Sequence, residues 1–148
     1  MARPDREAFE AYAYSEGLLE NPQRCFLYLM RCERFIKVGI AADVEQRRAR
    51  LQLTNPFPVT VARKYGFGDR HYAYLAEQAS HKDLADHRVY GEWFDADFDT
   101  IEDVVGDIVD AARKLMRIRR AERRAKYQEL WRLYLRDNSF RSQVNAPA

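Results

Sequence analysis

Two apolar runs, Cys25–Arg31 and Phe35–Ile40, are separated only by a polar turn near Cys32–Arg34, and no other feature restricts the fold of this chain more. Their lengths and their aromatic and β-branched side chains fit paired strands. A connection this short joins antiparallel strands, because parallel ones need a long crossover. With the turn centred on Glu33–Arg34, Tyr28 lies opposite Gly39, and Lys37 is the diagonal neighbour on the same face. Side chains alternate along a strand, so Tyr28 shares that face with Phe26 and Met30. A glycine opposite a tyrosine leaves a notch in which a substrate can approach, bordered here by a phenol and an ammonium group.

The rest of the chain is read around this hairpin. Residues 4–18 form a helix, with Pro4 in its first turn, Asp5 and Glu7 at its positive end and Gly17 at its stop. Phe9, Tyr12 and Leu18 dock it on the body, and Asn21-Pro22 breaks the chain. Residues 43–53 form an Arg-rich helix capped by Asp43 and ended by Asn55-Pro56 and Pro58. Val59–Phe67 is a third strand, closed by Gly66 and Gly68, and Asp69 caps a helix running to about Asp86. Gly91–Phe94 adds strand or turn structure. From Thr100 to Arg136 there is no Pro and one Gly, and Ile101, Val104, Val105, Ile108, Ala112, Leu115 and Ile118 recur at helical spacing. If continuous, this helix spans roughly 55 Å at about 1.5 Å per residue; a break at Gly106 would make it two. The expected fold is a small α/β (α+β) layer, a three-stranded sheet flanked by helices with a long C-terminal helical extension. The expected divisions are an N-terminal helix (1–23), a central domain (24–98), the extension (99–137) and a mobile tail (138–148).

With 47% apolar and 32% charged residues in 148, the composition is that of a soluble globular protein with a modest core. The net charge of +2 says little about partners; its distribution says more. Residues 92–110 carry eight acids and no Lys or Arg, whereas residues 111–136 carry ten Lys or Arg and two acids. Such asymmetry marks a nucleic-acid face. Cys25 and Cys32 make neither a disulfide framework nor a metal motif and read as reduced thiols. The charged N-terminus speaks against a secretory signal, and no run approaches a membrane span. The expectation is a protein of the cytoplasm.

Three further side chains complete a chemical constellation. Val44, Arg47 and Leu51 share a helix face, so Arg47 projects beside the apolar seam, where a guanidinium forks two phosphate oxygens; Arg48 and Arg50 compete for that role. Glu77, His81, Leu84 and Arg88 fall on one stripe of the later helix. A carboxylate at Glu77 suits Mg²⁺, which takes oxygen ligands and keeps several waters. His81 is placed to orient Glu77, contact phosphate or assist proton transfer.

Phe26-Leu27-Tyr28-Leu29 through Lys37-Val38-Gly39-Ile40 resemble the two signature strands of the GIY-YIG endonuclease superfamily, and Asp43 through Pro56 resemble its arginine helix and following loop. Glu77-Gln78-Ala79-Ser80-His81, Arg88 and Gly91-Glu92-Trp93-Phe94 are similar to one branch. That branch is named after phage T5 open reading frame 172 and the meiotically up-regulated gene 113 domain. The likeness covers about half the chain. It implies that Tyr28 helps activate the attacking water, Arg47 steadies the scissile phosphate and Glu77 holds a single divalent ion, Mg²⁺ or Mn²⁺. Gly39 matches the glycine of the second strand. Lys37 stands where many members have a second tyrosine, as is usual in this branch, and Phe26 replaces the first signature glycine. A phage or bacterial setting is suggested by the branch alone.

Each residue also has a plainer reading. Tyr28 could be strand packing, Lys37 an edge charge, Arg47 a solvated helix residue, and Glu77 with His81 a surface pair, two ligands too few for structural zinc. Trp93 and Phe94 read as plugs for the sheet, with Glu92 taking a hydrogen bond from a loop or serving as a second acid. Acids first and bases last also suit a helix dipole. Yet a helix polar nearly all round needs another reason to exist. Two stand open. One is a phosphate-contacting arm, with Arg117, Arg120 and Arg124 beside Arg48, Arg50 and Arg88 as substrate contacts. The other is a homodimer through Leu130, Trp131, Leu133, Tyr134 and Leu135. The expected function is metal-dependent cleavage of DNA, with RNA as an alternative substrate. The rival is a protein of the same fold that binds nucleic acid or inhibits a protein partner without cutting.

Overall fold

The structure, a computed structural model, describes residues 2–147. Its chain divides into two compact units, one made of Pro22–Met116 and the other of the segments on either side of it.

The first unit is built on the expected hairpin. Strands β1 (Cys25–Cys32) and β2 (Phe35–Ala41) pair antiparallel with Tyr28 opposite Gly39 and Met30 opposite Lys37. The two-residue turn puts Glu33 at φ 55°, a left-handed conformation uncommon outside glycine. Strand β3 (Val59–Phe67) pairs with the other side of β1. Two short strands, β4 (Arg88–Tyr90) and β5 (Trp93–Phe94), extend the expected three to five, in the order β3-β1-β2-β5-β4. They are joined by Gly91 at φ 54° and Glu92, so the segment read as strand or turn is both.

Alternation sorts the strands into two apolar faces. Leu27, Leu29, Ile36, Val38 and Phe67 point to one side. They are covered there by helix α3 (Arg70–Asp83) through Tyr72, Ala73 and Ala76, and by Ile101, Val105 and Val109 of helix α4 (Phe98–Arg136). Tyr28, Met30 and Val59 point to the other and meet Val44 and Leu51 of helix α2 (Val44–Gln52). Burying one such side chain is worth about 1.5–3 kcal/mol. An exposed ion pair such as Arg34–Asp95 is worth roughly 0–1 kcal/mol, so the two apolar faces hold the sheet. Both helix starts are capped as expected. The Asp43 carboxylate accepts from the Gln46 amide at 3.0 Å, and that of Asp69 accepts from the His71 amide at 2.9 Å.

Helix α3 ends at Asp83 and is followed by a 3-10 turn, Ala85–His87. The stripe from Glu77 therefore stops at Leu84, and Arg88 stands on β4 instead. Helix α4 runs without a break through Gly106. No helix among the described residues is long and apolar enough to cross a membrane.

The second unit holds α1 (Arg6–Ser15), the part of α4 after Met116, and α5 (Asn138–Val144). Phe9 packs its ring against Tyr127, Trp131 and Tyr134 at centroid distances of 5.3, 4.9 and 5.1 Å. The Tyr134 hydroxyl accepts from the Asp5 amide at 2.7 Å and donates to Asn145 Oδ1 at 2.6 Å. The reading of 138–148 as a mobile tail does not anticipate α5. Asp137 caps that helix, and the buried Arg141 guanidinium donates to the carbonyls of Tyr134 and Leu135, which the end of α4 leaves unpaired. Leu130, Trp131 and Tyr134, offered above as a dimer contact, belong to this cluster, while Leu133 and Leu135 stay exposed. Phe9, Tyr12 and Leu18 also dock here. Phe9→Ala is expected to cost about 3–5 kcal/mol and to speed amide exchange throughout residues 6–15; unchanged protection of those amides would contradict this packing.

Candidate active site

The site lies where the edge of β2 is left open. Strand β5 pairs with β2 only at Ile36 and Lys37, so Val38, whose amide and carbonyl face this edge, needs other partners. The Val38 amide donates to the Glu92 carbonyl at 3.1 Å, which ties the β4–β5 turn to this point. The Val38 carbonyl accepts from His81 Nε2 at 2.7 Å. A carbonyl can only accept, so this bond puts the proton on Nε2 and leaves the lone pair of a neutral ring on Nδ1.

Across the same edge lies the ring of Tyr28. A Cβ placed on Gly39 would sit 2.6 Å from Tyr28 Cζ and closer still to its hydroxyl. The expected notch is thus filled by the tyrosine opposite it. Glycine is required there so that the phenol can cross β2. Tyr28 is 1% exposed, and burial pushes its pKa up; the Arg47 guanidinium pulls it down, while Glu92 and Glu77 add to the rise. The net direction is upward, which keeps the phenol neutral. Arg47 is the cation that opposes this rise, and Lys37 is engaged by Glu92.

Lys37 Nζ donates to Glu92 Oε2 at 2.6 Å. Burial tends to raise the Glu92 pKa, but the Lys37 hydrogen bond and charge, with His81 and Arg47, hold it below the usual carboxylate range. Glu77 has less help, from His81 and a Gln78 hydrogen bond alone. It is 6% exposed, and no Lys, Arg or His forms an ion pair with it among the described residues. Burial and the Glu92 charge push its pKa up, with His81 opposing. One ligand atom each of Glu77, His81 and Glu92 lie within 4.8 Å of one another. Two carboxylate oxygens and an imidazole nitrogen fit a six-coordinate divalent ion with positions left for water and phosphate. The buried Glu77 carboxylate, short of a counter-charge, is the observation behind that fit. The nitrogen donor favours Mn²⁺ over Mg²⁺, which prefers oxygen throughout.

The structure thus brings Tyr28, Gly39, Lys37, Arg47, Glu77 and His81 to one place and adds Glu92. In sequence Glu92 reads only as a loop hydrogen-bond acceptor or a second acid, because its role depends on a turn that ties to β2 only in three dimensions. The other candidates are occupied elsewhere or stand apart. Arg48 pairs with Glu45 at 2.7 Å and donates to the Val59 carbonyl at 3.3 Å, binding α2 to β3. Arg50 is exposed on α2. Arg88 stacks on Phe94, its guanidinium carbon 5.6 Å from the ring centroid, and its Nη2 donates to the His81 carbonyl at 3.5 Å, so it braces the site from β4 without entering it. Arg117, Arg120 and Arg124 are exposed on α4 within the other compact unit. Arg24 and Lys64, which the sequence does not single out, stand over the Phe26 ring at 5.5 and 5.1 Å, two residues along β1 from Tyr28.

A family model described as the T5orf172 domain matches residues 20–109. Searches of curated proteins and of solved structures return no match.

Three substitutions test this geometry. Gly39→Ala is expected to lose about 1–3 kcal/mol of stability in chemical denaturation through overpacking. Tyr28→Ala in the same chain should remove most of that loss, and an additive pair would disprove the close approach. Folding raises the Glu77 pKa, so the native state binds that proton more tightly than the unfolded chain. The associated stability is present below the ordinary carboxylate range and is lost as pH rises through the native value. Glu77→Gln should therefore raise the metal-free melting temperature at neutral pH, with the gain vanishing near about pH 4; a lower melting temperature at pH 7 would refute the burial argument.

Proposed function

Taking as premise that the chain belongs to the T5orf172 domain family, which is nuclease-related, we propose that it is a divalent-metal-dependent endonuclease that hydrolyses DNA phosphodiester bonds. The observation that carries this reading is the gathering of a phenol, a guanidinium and a Glu–His–Glu set at the open edge of β2.

Each group has a task in phosphodiester hydrolysis. Arg47 forks oxygens of the scissile phosphate and offsets the charge that grows on them. Glu77, Glu92 and His81 would hold the cation, with His81 oriented by its bond to the Val38 carbonyl. When bound, a divalent cation supplies positive charge for the phosphoryl and leaving oxygens and, by neutralising Glu77 and Glu92, removes two of the influences that keep Tyr28 neutral. Tyr28 serves as the base in its phenolate form, after its own proton has gone to solvent with Arg47 offsetting the negative oxygen; it positions the attacking water and takes one proton from it, returning to the phenol. Lys37 sets the charge and direction of Glu92. The exposed cations Arg117, Arg120 and Arg124 give a second, sequence-independent hold on phosphates.

One observation favours the rival, a protein that binds nucleic acid without cutting it. Lys37 already neutralises Glu92 at 2.6 Å, so one of the three ligands has a partner before any metal arrives. Plasmid nicking separates the two. The parent protein should nick supercoiled DNA in Mn²⁺ or Mg²⁺ and stop on chelation. Glu77→Ala and Arg47→Ala should each slow nicking by about 100-fold or more. Equal rates in all three proteins would remove the enzyme reading, and the same assay on RNA decides the substrate.

A further inference from the structure

Beyond Lys37 the active-site face of the sheet continues into a hollow that none of the tasks above uses. Cys32 and Phe35 lie on the same side of β1 and β2 as Tyr28 and Lys37, because each is an even number of residues along its strand. With Asn55, Val89, Tyr90 and Trp93 they line a hollow of about 220 Å³. Its far wall is unusual for a surface strand. Tyr90, on the short β4, is 82% exposed, and Val89 beside it is also exposed. Tyr90 pairs with Trp93 across the β4–β5 turn, so two aromatic side chains stand at the ends of one cross-strand pair.

Asn55 is the one amide side chain in the lining. Its Nδ2 donates to the Leu51 carbonyl at 2.7 Å, which fixes the orientation of the amide. The second N–H and the carbonyl oxygen remain for a ligand. A donor and an acceptor side by side among aromatic faces match the edge and the faces of a nucleobase. The volume suits one planar ring system and falls below the usual range for larger ligands.

Position supplies the second argument. The Trp93 ring centroid lies 5.8 Å from Lys37 Nζ, which is 2.6 Å from Glu92 Oε2, a member of the Glu77–His81–Glu92 set. The hollow is thus one side chain away from the proposed cleavage centre.

We propose that this hollow is a subsite for one unstacked nucleobase of the substrate, held by Tyr90, Trp93 and Asn55 next to the phosphate that is cut. The inference rests on the nuclease reading and sharpens it. A base can enter only after leaving its stack, so the favoured substrate is single-stranded, gapped or bulged DNA and not a regular duplex.

The test compares a fully paired duplex with the same duplex carrying one extrahelical base. Binding is read by fluorescence anisotropy in Ca²⁺ with the DNA checked to be uncut, and cleavage is read in Mn²⁺. The parent should bind the bulged duplex about tenfold more tightly, the scale of one aromatic stacking contact. Tyr90→Ala should bring the two affinities within about twofold of each other, and Tyr90→Phe, which keeps the π face, should retain the preference. Val89→Trp, which fills the hollow from the edge strand, should abolish it as well. A parent without preference overturns the subsite, as does a preference that survives in folded Tyr90→Ala or Val89→Trp protein. Cutting without preference would remove the subsite and leave the nuclease. Preference without cutting would do the reverse, and no binding of either duplex would remove both.

Discussion

The phenol of Tyr28 crosses β2 over Gly39, and the rest of the site is arranged around that crossing. With a side chain at Gly39, the ring would have to swing away from the edge where Glu77, His81 and Glu92 meet. The crossing matters because β5 is only two residues long. A longer β5 would take up the amide and carbonyl of Val38 and close the edge. Instead Val38 gives its carbonyl to His81 and its amide to the Glu92 carbonyl, so one residue with unspent backbone groups ties α3 and the β4–β5 turn to the same point. A short strand thereby becomes a binding edge.

The charges there are arranged at some cost to the fold. A buried carboxylate without a counter-charge disfavours its own ionised form, and Glu77 is in that state. Glu92 is stabilised by Lys37 and Arg47, yet it adds to the burden on Glu77 and on Tyr28. These groups conflict unless positive charge is brought among them. Conflict of this kind is found where stability has been given up for function, and it accounts for a site that holds ionisable side chains in a region the hydrophobic faces could otherwise have filled.

The second unit solves a different problem. The end of α4 carries Tyr127, Leu130, Trp131 and Tyr134 among many cations. Helix α1 covers these rings with Phe9 and Tyr12, and α5 returns so that Arg141 can take the carbonyls at the end of α4. The apolar side chains that a lone helix would expose are therefore used within the chain, leaving the cations on the outer faces.

By itself the sequence determined whatever depends on neighbours along the chain. Strand alternation and a two-residue turn set Tyr28 against Gly39, since a slip of one residue would reverse every side chain. Asp43 and Asp69 marked helix starts through local capping, and a spacing of four put Glu77 and His81 on one face. The tertiary structure alone decided what depends on distant partners. Lys37 meets Glu92 across 55 residues of chain, which no periodicity encodes. Arg48 is drawn to Glu45 and the Val59 carbonyl, while Arg47 lies beside Tyr28, a division between neighbouring arginines that their spacing left open. Arg88 was misplaced and α5 was missed by the same limit: helix ends are settled by the packing that follows them, not by the residues they contain.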